Sequence, residues 1–326
     1  MVEKLKKMLL NLLFVCMGST TLFAVSMPAH AENVTITEEN NHVMGNNLKK
    51  EEAYKRNQQV VLPYTPKALP RADFIDISSW SGEISVESYK KMNAQGVKGV
   101  VVKLTEFTTY RNPLAKIQIE NAKKAGLTVS VFHYSWFVDE QKAVDEANYF
   151  ADFAEELNLS PDTVMVNDAE EGEMIPADVT ITSMAFKKQL NKRGFNNVIH
   201  YSMASWFTEN YLEFDVLGKE NSWVAEWPKA PSSDNLLHSD TAGWQWSSQV
   251  EFEGVPGVYD ANVDYLGRFI STPEFKLGTD LKPIQYYQGE EVSYQGKKYW
   301  VIQTHKNYGD PCSVPGIADA LFALKG

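Results

Sequence analysis

From residue 73 onward the chain alternates short apolar runs with amphipathic stretches. Residues 74–77, 99–104, 127–134, 163–168 and 197–201 are apolar runs of strand length. Helical periodicity fills 85–95, 114–125, 140–157 and 182–193, with Gly126 and Gly194 closing two of these stretches. Strands and helices alternating at this spacing predict βαβ units and a parallel sheet. After Tyr201 the pattern thins to strand-like runs at 222–225 and 243–246, with little helix between them. The pattern V-x-H-Y-S occurs twice, at 131–135 and 198–202, as two barrel strands ending in the same polar-aromatic tip would produce. The histidines in it, His133 and His200, are expected to be hydrogen-bonded barrel residues.

The segments on either side read differently. Residues 32–70 are polar and end in Pro63, Pro66 and Pro70, which predicts a flexible linker with one short helix. Residues 284–326 are rich in Tyr, Trp and Gly. Their stretch 292–299 predicts a β-hairpin turning at Gln295-Gly296. At the start, Lys4, Lys6 and Lys7 precede an apolar run over 8–25, and Ala29-His30-Ala31 follows. That is the pattern of a cleaved export signal over 1–31.

Charge and cysteine content narrow the function. The full chain carries a formal charge of −11, and loss of residues 1–31 brings it to −13. Nucleic acid is then a poor partner, because binding to phosphate rests on cationic contacts. Nor is a membrane expected once the signal is removed, since no other segment is long and apolar enough to span one. Cys312 alone remains after processing, so no internal disulfide is expected. The chain lacks H-E-x-x-H and C-x-x-C, and no metal or other cofactor is expected.

The sharpest candidate chemistry lies in Val164-Met165-Val166-Asn167-Asp168-Ala169-Glu170. Alternation along a strand sends Val164, Val166, Asp168 and Glu170 to one face. The two carboxylates are then roughly 6–7 Å apart at about 3.3 Å per residue. In a parallel barrel that face is the interior, and catalytic groups gather at the strands' C-terminal ends. Two crowded carboxylates do not both ionise freely, and a proton donor beside a charged carboxylate suits glycosidic cleavage. Asp76 ends the first apolar run, where an acid is costly to bury unless paired or functional. Asp264 is a further candidate, with Asp260 as its nearest rival. Trp80, Tyr134, Tyr201, Trp227 and Trp246 lie at or just past strand ends, where a glycan could stack on them.

Several short motifs, in order, carry a family resemblance. The stretch 74–82, Val102-Lys103-Leu104-Thr105-Glu106, residues 121–127, Phe132-His133-Tyr134 and Asp168-Ala169-Glu170 resemble glycoside hydrolase family 25. So do Trp223-Val224-Ala225, Trp244-Gln245-Trp246 and Asn262-Val263-Asp264. The resemblance covers about 71–271, with 71–272 as the expected catalytic barrel. It implies an α/β fold, a TIM-like (β/α)5(β)3 barrel, and a secreted, cell-wall-associated lysozyme. Such an enzyme hydrolyses the β-1,4 bond between N-acetylmuramic acid and N-acetylglucosamine in peptidoglycan, and a monomer is expected. By the same resemblance Glu170 is the general acid and Asp168 positions or charge-stabilises the substrate's N-acetyl group, while Asp76 and Asp264 complete the cluster. Whether water attacks directly or the acetamido oxygen attacks first stays open. Two positions depart from the family pattern: polar Asn167, expected to face the helix layer, and Phe107, where Gly is common. The tail, 284–326, loosely resembles small chitin-binding-type modules, and a structural extension of the barrel is the other reading. A non-catalytic wall-glycan binder and a hydrolase of another N-acetylglucosamine polymer are the competing functions.

Overall fold

The computed structural model describes residues 41–50, 60–270, 274–289 and 291–325. The export signal expected over 1–31 lies outside the described residues. Among them no helix is long and apolar enough to cross a membrane.

The described chain begins with a short helix, α1 (Asn46–Lys50), and a two-residue strand, β1 (Leu62–Pro63). Five strand–helix units follow. They are β2 (Phe74–Ile77) with α2 (Val86–Ala94), β3 (Gly99–Glu106) with α3 (Ala115–Lys124), and β5 (Thr128–Tyr134) with α4 (Glu140–Glu156). The fourth is β6 (Met165–Asp168) with α5 (Val179–Lys192), and the fifth is β7 (Val198–Met203) with two short helices, α6 (Ala204–Thr208) and α7 (Phe214–Leu217). A two-residue strand, β4 (Tyr110–Arg111), folds back on β3. Three strands then complete the sheet: β8 (Ser222–Ala225), β9 (Gly243–Glu251) and β10 (Tyr259–Asp264). Neighbouring strands are parallel from β2 round to β9, whereas β10 runs antiparallel to both β9 and β2 and closes the barrel. The expected (β/α)5(β)3 architecture is the one observed.

Local chemistry accounts for the elements. Ser85, Asp139 and Asp178 cap α2, α4 and α5, each side chain accepting a backbone N–H of the first turn at 2.8–3.1 Å. Strand β3 is buried along its whole length, as expected where both faces of a parallel sheet are covered. Phe74, Val101, Phe132, Val166, Ile199 and Trp223 fill the barrel interior. On the outer face of the sheet, Met165 joins Phe150, Phe186 and Leu190 of the helices in a second apolar layer.

Between those layers lie the polar groups expected there. His133 bridges Glu146 at 2.8 Å and Thr105 at 2.7 Å. Asn167 faces the helices, donating to Ser183 on α5 at 3.0 Å and accepting from Ser135 at 2.6 Å. It also meets His200 Nδ1 at 3.1 Å. Burial drives the His200 pKa down to about 3, with Lys187 adding to the shift, so the ring is neutral.

One expectation about the flanks changes and one holds. The described parts of 32–70 are not a linker: Met44 is fully buried in the barrel interior, and β1 pairs with the far end of β9. Leu62, Tyr64 and Leu69 pack against the outer apolar layer. In the tail, β11 (Ile284–Tyr286), β12 (Glu291–Tyr294), β13 (Lys297–Val301), β14 (His305–Asn307) and β15 (Phe322–Leu324) form two small sheets. Their own core is Phe275, Tyr286, Val292, Tyr299 and Phe322. The β12–β13 hairpin turns at Gln295 (φ 51°) and Gly296 (φ 74°), the positive-φ pair that two-residue hairpins favour.

Candidate active site

The acids gather at the C-terminal mouth of the barrel. Asp76 at the end of β2, Asp168 at the end of β6 and Glu170 just beyond it are all buried. Asp76 Oδ2 accepts from Gln245 Nε2 at 3.0 Å and Asn262 Nδ2 at 2.9 Å. Neither oxygen of Asp168 accepts a hydrogen bond among the described residues. Burial raises the Asp168 pKa well above the usual carboxylate range, and the charge of Glu170 raises it further, against the opposing pull of Lys103. Crowding of the two carboxylates therefore favours the protonated form of Asp168.

Strand β3 adds two groups that sequence reasoning did not single out as site residues. Strict alternation would aim Lys103 and Thr105 inward. A bulge between Lys103 and Thr105 shifts the register against β5. Thr105 consequently points out to His133, and Lys103 and Glu106 meet inside at 2.6 Å. A bulge at a barrel rim re-aims a side chain in this way. Burial alone would raise the Glu106 pKa, but the hydrogen bond from His42 and the charge of Lys103 bring it down to about 2. The residue after it, Phe107, has a φ of 47°, which explains why glycine suits that position in the family pattern.

Gln245 ties the acids to the aromatic side chains. Besides donating to Asp76, it accepts from the Tyr201 hydroxyl at 2.8 Å and from Trp227 Nε1 at 3.1 Å. Tyr134 donates to Glu171 at 2.9 Å. Trp80 lies half-exposed at the rim, its Nε1 donating to the Asn41 carbonyl at 2.7 Å. Four of the five aromatic candidates, Trp80, Tyr134, Tyr201 and Trp227, thus border the acids.

Trp246 does not. It is fully buried in the outer apolar layer and donates to the Arg71 carbonyl at 2.9 Å. Gln245 takes the inward position on β9, so both neighbouring tryptophans point outward.

Asp264 is at the wrong end. Because β10 runs antiparallel to β2, its first residues lie beside the mouth: Asp260 is the register partner of Asp76, whereas Asp264 pairs with Gly243 at the start of β9. Asp264 instead accepts the backbone N–H groups of Arg268 (3.0 Å), Phe269 (2.9 Å) and Ile270 (3.1 Å), closing the turn below the barrel. Asp264→Ala is expected to cost about 1–3 kcal/mol, the usual penalty for orphaned buried donors. Thermal melting should show the loss while kcat per folded molecule stays unchanged, and a selective fall in kcat would return Asp264 to the reacting centre.

Comparisons with known proteins identify the family of the chain. Residues 75–255, more than half of the chain, match the family described as Glycosyl hydrolases family 25. Lysozyme M1 of Streptomyces globisporus is 26% identical over 199 residues, covering 58% of this chain and 66% of that protein. The autolytic lysozyme of Clostridium acetobutylicum is 25% identical over 186 residues, covering 57% and 53%. The chain thus spans about two thirds of the length of the first and about half of the second. Among solved structures, the CTP1L endolysin superposes with a TM-score of 0.50 at 21% identity, covering 62% of this chain and 70% of that one. With the family match spanning the strands that carry the acid cluster, the chain belongs to glycosyl hydrolase family 25.

Proposed function

We propose that this chain is an exported muramidase, hydrolysing the β-1,4 bond between N-acetylmuramic acid and N-acetylglucosamine in peptidoglycan. One observation carries the reading: Glu170, Asp168 and Asp76 share one barrel mouth, buried, beside the buried side chain of Lys103. In such a pocket the carboxylates differ in charge, as acid-assisted cleavage of a glycosidic bond requires. Glu170 is the general acid that protonates the leaving oxygen. Asp168, buried in the same pocket, positions the substrate's acetamido group. Asp76, held by Gln245 and Asn262, supplies negative charge near the developing oxocarbenium centre. Trp80 and Trp227 flank the cluster as surfaces for sugar stacking. The Lys-led apolar run over 8–25 and Ala29-His30-Ala31 support delivery to the compartment where peptidoglycan lies. Tyr287 and Tyr308, exposed just past β11 and β14, offer a second stacking surface for glycan.

Incubating the protein with purified peptidoglycan and, separately, with chitin distinguishes the possibilities. New N-acetylmuramic acid reducing ends are the expected product. Cleavage confined to chitin would redirect the specificity, and retention of glycan without any new ends would reassign the chain as a binder.

A further inference from the structure

The barrel mouth is filled by the protein's own residues. Residues 41–48, ahead of the barrel in the chain, lie at the acid cluster and contact Glu170, Glu106, Lys103, Tyr134 and Trp80. Asn46 N and Asn47 N donate to the two oxygens of Glu170 at 3.0 and 3.2 Å, and the Asn47 side-chain amide donates to the Glu170 carbonyl. His42 engages Glu106 twice, through its backbone N–H at 2.8 Å and through Nδ1 at 2.6 Å. Its ring stacks on Tyr134 with centroids 4.9 Å apart. Lys103 donates to the His42 carbonyl and to Asn41 Oδ1. Met44 is buried with Phe74, Phe132 and Tyr201 in the barrel interior.

From this geometry we infer that residues 41–48 are an intramolecular plug that keeps the glycan cleft latent, a regulation that rests on the glycosidase reading of the site. Steric exclusion is the first reason. A glycosidic oxygen must come within hydrogen-bond reach of Glu170, and both Glu170 oxygens already accept peptide N–H groups. Charge is the second. A general acid must hold a proton to deliver, whereas two backbone donors suit the ionised carboxylate. The plug thus holds Glu170 in the form that cannot protonate a leaving group. Shape is the third. Gly45 adopts a φ of 73°, and a Cβ there would stand 2.6 Å from Trp227 Cζ2, so the segment follows a wall of the cleft that only glycine can pass.

Covalent tethering makes such a plug effective. Residues 49–59 join it to the barrel, and short tethers give effective concentrations in the millimolar range. Substrate must displace the plug, so apparent affinity falls by the fraction of molecules that are open. Any event that withdraws residues 41–48, such as proteolysis ahead of β1 or capture by a wall component, would switch the site on.

Two substitutions outside the reacting groups test this in the full chain. Gly45→Val puts a β-branched side chain at positive φ against Trp227, and Met44→Asp puts a charge in the apolar interior. Each is expected to raise the initial rate of peptidoglycan solubilisation at least tenfold, and to tighten binding of the N-acetylglucosamine tetramer at least tenfold in calorimetry. If both variants bind the tetramer better but none of the proteins cuts peptidoglycan, the plug stands and the muramidase reading falls. Parent and variants that melt cooperatively and cut and bind alike would overturn the plug. The unmodified chain gives a third readout: the Asn46 and Asn47 amides should be protected from hydrogen exchange, and exchange at the intrinsic rate would overturn the plug even if both variants misfold.

Discussion

Glu170→Gln is expected to lower peptidoglycan hydrolysis by about two to four orders of magnitude, the usual contribution of a positioned proton donor. The side chain keeps its size and the strand its alternation, so the change removes little except a titratable proton. Asp168, fully buried in the same pocket, is a poor substitute: burial favours its protonated form, so it gives the proton up reluctantly. Binding should respond in the opposite sense. The amides of Asn46 and Asn47 now face a carbonyl oxygen and an NH2 group in place of two anionic oxygens. One of the two hydrogen bonds is lost, the plug is weakened, and glycan binding should hold or improve while kcat collapses. The measurement is reducing-end release alongside tetramer binding, in both the parent and the Gly45→Val backgrounds. A Glu170→Gln chain within tenfold of its parent in kcat, in either background, would remove Glu170 from the role of acid.

Much of this site was legible in the sequence because strand periodicity is a strong signal where the strand is regular. Val166 and Asp168 share the inward face of β6, and the same parity carries Glu170 into the pocket. Asn167, the polar residue between them, faces the helices as alternation demands. The failures are as instructive. On β3 the bulge resets the parity, and nothing in Val102-Lys103-Leu104-Thr105-Glu106 announces it, so Glu106 and Lys103 went unassigned as a pair. Asp260 and Asp264 have the same parity on β10, and only the strand's antiparallel direction decides which one reaches the mouth. A sequence that fixes a strand does not fix its direction when the helix between neighbours disappears. For Trp246 the signal was present: Gln245 between two tryptophans already marks the inward position. The plug was hidden for another reason. Its few apolar residues, Val43, Met44 and Leu48, give no sustained periodicity, and its backbone amides, which make the contacts to Glu170, leave no trace in side-chain composition.

Lys103→Met is expected to lower the melting temperature by roughly 10 °C, and its pH dependence identifies the cause. Lys103 has no solvent exposure, and its Nζ lies 2.6 Å from Glu106 Oε2. Removing one partner of a buried pair costs about 3–5 kcal/mol because the other charge stays uncompensated. For a domain of this size each kcal/mol is worth about 2–4 °C. In the parent the Glu106 pKa is depressed to about 2 from an ordinary value of 4.5, so the stability it contributes is present above about pH 4.5 and is lost as pH falls towards 2. With Lys103 gone, His42 and the Trp136 Nε1 hydrogen bond at 3.1 Å still favour the carboxylate, but less strongly. The acid slope of stability between pH 5 and 2 should therefore flatten. A melt unchanged to within 2 °C at pH 7, with the same acid slope, would show the pair to be energetically silent. The double change Lys103→Met with Glu106→Leu separates stability from function. Replacing a whole buried ion pair by apolar groups is often neutral or stabilising, so most of the lost melting temperature should return. Activity should not return with it, because the charge of Lys103 opposes the rise in the Asp168 pKa and sets the charge distribution beside Glu170. Recovered stability with kcat still depressed at least tenfold would assign Lys103 to the electrostatics of the site, and recovery of both would make the pair a matter of folding alone.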